Sequence, residues 1–174
     1  MINIKKYFKK YIFSAEEDTL KRNKQLANLS KLEITGIKGL ILTKTLQAEK
    51  ERVSVNIEVS DIIDEINMNI IDLARILGIF FDNAIEANKH IDSQKEIDIA
   101  FFKNVSHSLI IIIENTIADD SINIEQIFAE GFSTKGINRG KGLSIVKSIL
   151  SSYPNVTLNT NVTKGVFTQI IVIE

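Results

Sequence analysis

A segment with apolar residues at helical spacing, from Asn69 to about His90, constrains the fold more than any other part of the chain. The apolar residues recur every three or four positions and define one face of a helix: Leu73, Ile76, Leu77, Phe80, Phe81 and Ala84. Asn69 is placed to cap the N-terminus of this helix, with Asp72 three residues later. A face this broad must be buried, which requires a second layer of structure against it.

Most of the remaining regular structure is predicted to be β-strand. Alternating apolar and polar residues indicate half-buried strands, and one continuous apolar run indicates a central strand covered by helices on one face. The predicted strands span residues 53–59, 97–101, 109–113, 156–160 and 166–173, with a turn at 161–165 between the last two. Because several neighbouring strands are joined by short turns, the order of elements favours a two-layer α/β sandwich over a doubly wound parallel sheet.

Further helices are predicted on both sides of this region. They cover residues 1–27, 35–51 with Thr35 as the cap, 124–129 and 143–151. Residues 1–27 contain few Leu, Ile and Val, so this helix has to pack on the rest of the chain or on a partner helix. Its first 13 residues carry four Lys and no acid. They fit a solvated amphipathic helix, and the alternative is a helix lying on an anionic membrane surface.

The composition argues against several classes of function. The chain has 174 residues, with 21 Lys and Arg against 22 Asp and Glu, and no Cys. The near-zero net charge lacks the basic footprint of a general nucleic-acid binder, so no nucleic-acid partner is expected. Without Cys, and with only His90 and His107, neither a thiolate nucleophile nor a Cys- or His-rich metal site is expected. The apolar runs are far shorter than the roughly 20 residues that a membrane span requires.

Glycines and cations cluster just before the helix predicted at 143–151. The glycines are Gly131, Gly136, Gly140 and Gly142, and the cations among them are Lys135, Arg139 and Lys141. Glycines ahead of a helix let backbone N–H groups approach a phosphate, whose charge the helix N-terminus favours. The alternative interpretation is a flexible surface loop. The segment matches neither the P-loop pattern nor the dinucleotide-binding pattern GxGxxG.

A second polar feature lies on the long helix. At about 100° per residue, Asn83 falls at the edge of the apolar face together with Glu86, whereas Asp82 points nearly opposite the centre of that face. An amide oxygen at such an edge can bind Mg²⁺ together with substrate phosphates. The alternative is an Asn that hydrogen-bonds a neighbouring loop, and Asp82 is expected to be a solvated or capping carboxylate.

Together, the two features resemble a known family. Residues 31–174 resemble the ATP-binding domain of the GHKL group of histidine kinases, and more narrowly the AgrC-type sensors of peptide pheromones in quorum sensing. Four segments carry the resemblance in order and spacing: Ile34–Ile41 as the first helix of that subfamily's domain, Leu77–Ala87 as the N-box, Gly131–Gly136 as the ATP lid and Arg139–Lys147 as the second glycine box.

This resemblance implies a GHKL-type fold of the α+β class, a mixed sheet covered by helices on one face, over residues 30–174. Residues 1–29 would form a helix left from the dimerisation and phosphotransfer region. ATP and Mg²⁺ are the implied ligands, with Asn83 as the Mg²⁺ ligand. Lys135 and the amides around Gly140, Gly142 and Leu143 would hold the phosphates. The implied nucleotide-contacting residues are Asn83, Glu86, Asn115, Ser133, Thr134, Lys135, Gly136, Arg139, Gly140, Gly142 and Leu143.

Two positions depart from the family pattern. The family generally has Asp followed by Gly after the central strand, where the Asp reads the adenine amino group, but this chain has Glu114-Asn115-Thr116. Asn115 is the favoured adenine contact, with Glu114 as the alternative. The N-box position four residues before Asn83, often polar in the family, is Ile79. Both departures predict weakened nucleotide binding.

The acceptor His of the family is expected outside this chain. Tyr7–Leu26 resembles the helix that follows the acceptor helix, which would therefore lie before Met1, and neither His90 nor His107 resembles an acceptor. The resemblance implies a cytoplasmic catalytic domain that takes part in signalling with an acceptor helix and a response regulator. It also implies a possible homodimer, with membrane attachment only through a missing sensor region.

Two other functions are compatible with the sequence. One is a non-catalytic GHKL-type regulator that binds a kinase or response regulator through residues 1–27. The other is an ATPase or anti-sigma-type kinase of the same fold, which would need a base near the γ-phosphate, for which Glu86 is the available candidate.

Overall fold

The computed structural model describes residues 20–89, 91, 95–118 and 142–174. The helices in these ranges are α1 (20–30), α2 (Thr35–Lys50), α3 (Ile70–Asn88) and α4 (Gly142–Leu150). The strands are β1 (Ser54–Val59), β2 (Glu96–Lys103), β3 (Leu109–Thr116), β4 (Val156–Thr163) and β5 (Val166–Ile173). The helix predicted at 124–129 and the first nineteen residues of the chain lie outside the described residues.

The five strands form one sheet in the order β1-β2-β3-β5-β4. β1 and β2 are parallel and connected through α3, whereas the other neighbouring strands are antiparallel. The β4–β5 hairpin turns at Lys164 and Gly165, with φ of 52° and 77°. Positive φ at both central residues is typical of a tight two-residue turn. The predicted turn at 161–165 was therefore too long, since Asn161–Thr163 continue β4.

Helices cover one face of the sheet, and the core lies between the two layers. The apolar residues predicted on α3 are all buried, and they share one core cluster with alternate residues of β2, β3 and β5. The β3 residues that face this core are Leu109, Ile111 and Ile113. The structure thus confirms an α+β two-layer fold with a mixed sheet and with β3 as its central strand.

The N-cap residue predicted from the sequence is correct for α3 and wrong for α2. The Asn69 side chain accepts hydrogen bonds from the backbone N–H groups of Ile71 (2.8 Å) and Asp72 (3.4 Å), which confirms it as the cap of α3. Thr35 was wrongly predicted as the cap of α2. The N-cap is Ile34, which has an extended backbone and makes no side-chain capping bond, because Thr35 is already the first helical residue.

Helix α1 lies along the free edge of β1. The Gln25 side-chain amide donates a hydrogen bond to the Val55 carbonyl, and Asn28 donates to the Ile57 carbonyl at 2.7 Å. Leu29, at the end of α1, is buried in the core. None of the helices in the described part of the chain is long and apolar enough to span a membrane.

Candidate functional site

The N-terminus of α4 lies against the middle of α3. A Cβ atom on Gly142 would lie 2.9 Å from Ile79 Cγ2 and 4.0 Å from Asn83 Nδ2. Because 2.9 Å is closer than carbon atoms normally approach, any larger residue at the first position of α4 would force Ile79 or one of the helices to move. The structure therefore brings Asn83 of the predicted N-box beside Gly142 of the predicted second glycine box.

The side chains of Asp82 and Asn83 point in different directions, as the helical periodicity predicted. Asn83 and Glu86 are half-buried at the edge of the apolar face, whereas Asp82 is exposed. The Asp82 carboxylate forms an ion pair at 2.5 Å with Lys44 Nζ, which comes from the neighbouring helix α2. Asp82 is thus a solvated carboxylate, as expected, and its ion pair also joins α2 to α3.

The first turn of α4 supplies an arrangement that suits an anion. The first backbone N–H groups of any helix have no partner within the helix, and the helix dipole places partial positive charge at this end. Leu143 packs against the core and so fixes the start of α4 next to Asn83. The other residues predicted for the phosphate site lie outside the described residues: Ser133, Thr134, Lys135, Gly136, Arg139 and Gly140.

The two candidates for the adenine contact lie on opposite faces of β3. Asn115 alternates with Ile113 and Ile111 and is 5% exposed on the helix-covered face, where its Nδ2 donates to the Thr116 carbonyl at 2.7 Å. Glu114 lies on the other face and accepts a hydrogen bond from Thr168 Oγ1 at 2.9 Å. Only Asn115 therefore shares a face of the sheet with α3 and α4.

A buried amide that the sequence analysis missed connects α3 to the sheet. Asn88 is fully buried, and its Nδ2 donates to the carbonyls of Ala84 (3.0 Å) and Glu96 (3.4 Å). Its Oδ1 accepts from the Glu96 N–H at 3.2 Å and from Thr116 Oγ1 at 3.1 Å. Thr116 adjoins Asn115, so Asn88 ties the end of the N-box helix to the end of β3. The available signal was a polar residue that continues the apolar face of α3, four positions after Ala84.

Gln169 and Thr160 form a second buried polar pair that the sequence did not reveal. Gln169 is 2% exposed on the helix-covered face of β5, and Thr160 lies opposite it on β4. Within the described residues, Gln169 Nε2 and Thr160 Oγ1 are buried without a hydrogen-bond partner. A Gln in the apolar run from Val166 to Ile173 was the only sequence signal.

The opposite face of the sheet carries a separate cavity of about 520 Å³ beside α1, and its lining includes Lys21 and Lys24 from that helix. The lining also includes Asp98, Glu114 and Glu58. Burial raises the pKa of Asp98 above its ordinary value, because the charged form loses solvation, and nearby carboxylates add to the rise. The Asn56 side chain opposes this shift by donating a hydrogen bond to Asp98 at 2.8 Å.

The described residues contain no cluster of three or more His, Asp or Glu side chains that could hold a metal ion. A Mg²⁺ ion at Asn83 would be held by the amide oxygen together with phosphate oxygens and water, since Mg²⁺ usually keeps several waters and binds through few protein ligands. His107 lies in the turn between β2 and β3 with φ of 62°, as predicted, and His90 lies outside the described residues.

Solved structures share this fold. The catalytic domain of the histidine kinase ThkA superposes with a TM-score of 0.68 at 19% identity, covering 82% of this chain and 92% of that chain. The histidine kinase AdeS of Acinetobacter baumannii gives a TM-score of 0.62 at 16% identity, covering 95% of this chain and 82% of its own. Full-length ShkA, solved in complex with AMPPNP, gives 0.63 at 18% identity, covering 80% of this chain and 29% of its own. The fold is therefore that of histidine kinase catalytic domains.

Comparison of the sequence with known proteins agrees with the comparison of structures. The sensor protein CitS of Bacillus subtilis (strain 168) is 29% identical over 114 residues, which are 64% of this chain. The match spans about a fifth of the length of CitS, at 21%. Residues 68–174, more than half of the chain, match the family model described as the GHKL domain. On this match, which includes α3, the sheet from β2 onward and α4, the chain belongs to the GHKL domain family.

Proposed function

We propose that this chain is the ATP- and Mg²⁺-binding catalytic domain of a sensor histidine kinase, which transfers the γ-phosphoryl group of ATP to a His on a helix outside the chain. The observation that carries the proposal is the contact between Asn83 and the N-terminus of α4, with Asn83 Nδ2 4.0 Å from the position of a Cβ on Gly142. An amide side chain therefore lies beside the first turn of α4, the end of a helix that favours anions.

The residues on the two helices fit a bound phosphate chain. The N–H groups in the first turn of α4 would donate to phosphate oxygens, and the absence of a Cβ at Gly142 allows the backbone to approach them. The Asn83 amide oxygen would hold Mg²⁺, which when bound neutralises phosphate charge. Lys135 and the other predicted lid residues would complete the phosphate contacts, as the family resemblance implies.

Asn115 is the proposed contact for the adenine base. It is the candidate that lies on the helix-covered face, and its hydrogen bond to the Thr116 carbonyl leaves its side chain at the end of β3. The tie between Asn88 and Thr116 holds this end of β3 against α3. Ile79 replaces a residue that is often polar in the family, so we expect modest nucleotide affinity.

In phosphoryl transfer a kinase acts mainly by positioning its substrates and stabilising charge. The described residues supply the positioning elements for ATP, and the acceptor His comes from another helix. We further propose that the domain works on the cytoplasmic side of a membrane sensor, with residues 1–29 as the helical connection, and that it serves a response regulator. The finer assignment to pheromone sensing rests on the resemblance to AgrC-type sensors.

Calorimetry with Mg-ATP and with a non-hydrolysable analogue tests nucleotide binding. Asn83→Ala is expected to remove the Mg²⁺-dependent part of the affinity and to keep the fold, because Asn83 lies at the edge of the core. Asp82→Asn is the matched control, since its side chain is the next along α3 but pairs with Lys44. Absence of heat and of thermal stabilisation at millimolar nucleotide would exclude the kinase function and favour the non-catalytic regulator.

Incubation with radiolabelled ATP tests the transfer. The chain alone is expected to remain unlabelled, whereas an added fragment that bears the family's acceptor helix should be labelled slowly. Transfer is slow because a separate fragment lacks the effective concentration of a tethered one, which is on the order of millimolar for short linkers. Acid-labile label on the chain alone would contradict the assignment of the acceptor, and a fragment that stays unlabelled at every concentration would favour the regulator.

A further inference from the structure

Among the residues that the structure describes, two buried polar groups on β4 and β5 lack hydrogen-bond partners. Gln169 and Thr160 lie directly opposite each other in the register of the two strands. Within the described part of the chain, neither Gln169 Nε2 nor Thr160 Oγ1 makes a hydrogen bond, although both atoms are buried. The two groups are neighbours and could satisfy each other, but their side chains do not form that bond.

Such a pair is costly in a free protein. A buried amide N–H without a partner loses its hydration and gains nothing in return, so such groups are uncommon and usually have a partner in a bound molecule or an ordered water. An apolar residue of similar length would fill the same position without this cost. A bound ligand that forms hydrogen bonds with these groups would offset this cost.

The position of the pair relates it to the nucleotide site. On β3, Asn115 is directly opposite Phe167, and Gln169 is two residues further along β5. Diagonal neighbours of this kind are about 7–8 Å apart in a sheet. All three polar side chains, Asn115, Gln169 and Thr160, lie on the helix-covered face. They form a polar row across three adjacent strands, beginning at the proposed adenine contact.

We propose that Gln169 and Thr160 bind the purine base of the nucleotide, directly or through one bridging water. This inference rests on the proposed function and adds specificity residues that the sequence resemblance did not supply. A carboxamide presents a donor and an acceptor side by side, which matches the alternating donors and acceptors on the edge of adenine. The Thr160 hydroxyl both donates and accepts, so it can complete the contact.

The test compares Mg-ATP with Mg-tripolyphosphate, which has the phosphates but no base. Gln169→Met keeps an unbranched side chain of similar length and removes the amide. This variant should bind Mg-ATP about tenfold more weakly, the loss typical of one hydrogen bond to a ligand, and should bind Mg-tripolyphosphate as the wild type does. Thr160→Val removes the hydroxyl and should likewise weaken the binding of Mg-ATP. Thr160→Ser keeps the hydroxyl and should bind Mg-ATP as the wild type does.

The control is Thr168→Val, because Thr168 is next to Gln169 in sequence but bonds Glu114 on the other face of the sheet. It should leave both affinities unchanged. The free Gln169→Met protein should melt no lower than the wild type, since Gln169 Nε2 has no hydrogen bond to lose within the described part of the chain.

The outcomes distinguish failure of the proposed base contact from failure of the proposed ATP-binding function. If the wild type binds Mg-ATP and both Gln169→Met and Thr160→Val retain its affinity, the base contact is wrong and the proposed function stands. Equal losses for Mg-ATP and Mg-tripolyphosphate would also overturn the base contact, because they would indicate a general structural effect. A wild type that binds neither ligand would overturn the proposed function and this inference together.

Discussion

Replacing Gly142 with Ala would place a methyl group in the contact between α3 and α4. The new Cβ would lie 2.9 Å from Ile79 Cγ2, about 0.5 Å inside ordinary contact, which begins at 3.4 Å. Ile79 is β-branched and lies on a helix, where its χ1 angle has one strongly preferred value. The side chain therefore cannot rotate away, and the helices must move apart.

The expected cost follows from this geometry. Inserting a methylene-sized group into a packed contact costs about 1–3 kcal/mol. The higher helix propensity of Ala offsets at most about 1 kcal/mol of this cost. With that gain subtracted in full, the net loss in free energy of unfolding should be roughly 0–2 kcal/mol, which for a chain of this length lowers Tm by up to about 4–8 °C. Nucleotide affinity should fall as well, because Asn83 faces the same position.

A double-mutant cycle measured by urea unfolding isolates the contact. Ile79→Ala removes Cγ2, so Gly142→Ala should cost little or nothing in that background. Gly78→Ala is the matched control, because a Cβ on Gly78 meets nothing within 4 Å and should stabilise α3 by about 0.5–1 kcal/mol. Equal effects of Gly142→Ala in the two backgrounds, or a stabilisation like that of Gly78→Ala, would refute the argument for a close contact.

Three further substitutions test other parts of the structure. Asn88→Leu removes four hydrogen bonds of a buried amide. Urea unfolding should show that the free energy of unfolding falls by about 2–4 kcal/mol. A decrease of less than about 1 kcal/mol would contradict the conclusion that Asn88 holds α3 against the sheet. Asp98→Asn should raise Tm at pH 7, because the raised pKa of Asp98 means that its charge destabilises the folded state. That advantage should shrink as the pH falls through the raised pKa and vanish below about 3.8, and a gain independent of pH would argue against a charge effect. Lys44→Met breaks an ion pair with the exposed Asp82. Thermal melting should show that the free energy of unfolding falls by no more than about 1 kcal/mol, and calorimetry should show an unchanged nucleotide affinity.

The sequence predicted those features that depend on periodicity within one element. The buried face of α3 and the half-buried edge position of Asn83 follow from the helical repeat, and the structure confirms both. The choice between Glu114 and Asn115 did not follow, because Leu109–Ile113 is apolar on both faces of β3. Which face the helices cover depends on the pairing of β3 with its neighbours, and this is a property of the whole sheet.

Polar residues inside the core were missed for a different reason. Asn88 and Gln169 are types that are usually exposed, so a pattern-based analysis assigns them to the surface or to an edge. Asn88 is buried because neighbouring strands provide its partners, which come from positions that are 8 and 28 residues away in the sequence. For Thr35, the residue type indicated a cap, but Ile34 has the backbone geometry of that position.

Two amide side chains of α1, Gln25 and Asn28, have a consequence for the solution behaviour of shortened forms of this protein. The carbonyls of Val55 and Ile57 belong to an edge strand, and Gln25 and Asn28 occupy them. Edge strands with free backbone groups are templates for pairing with another chain. A fragment that begins after α1 would present such an edge, and so would an intact chain whose α1 is pulled away by an upstream movement. Helix α1 thus covers two carbonyls of this edge, and we expect its release to make them available for pairing with another chain.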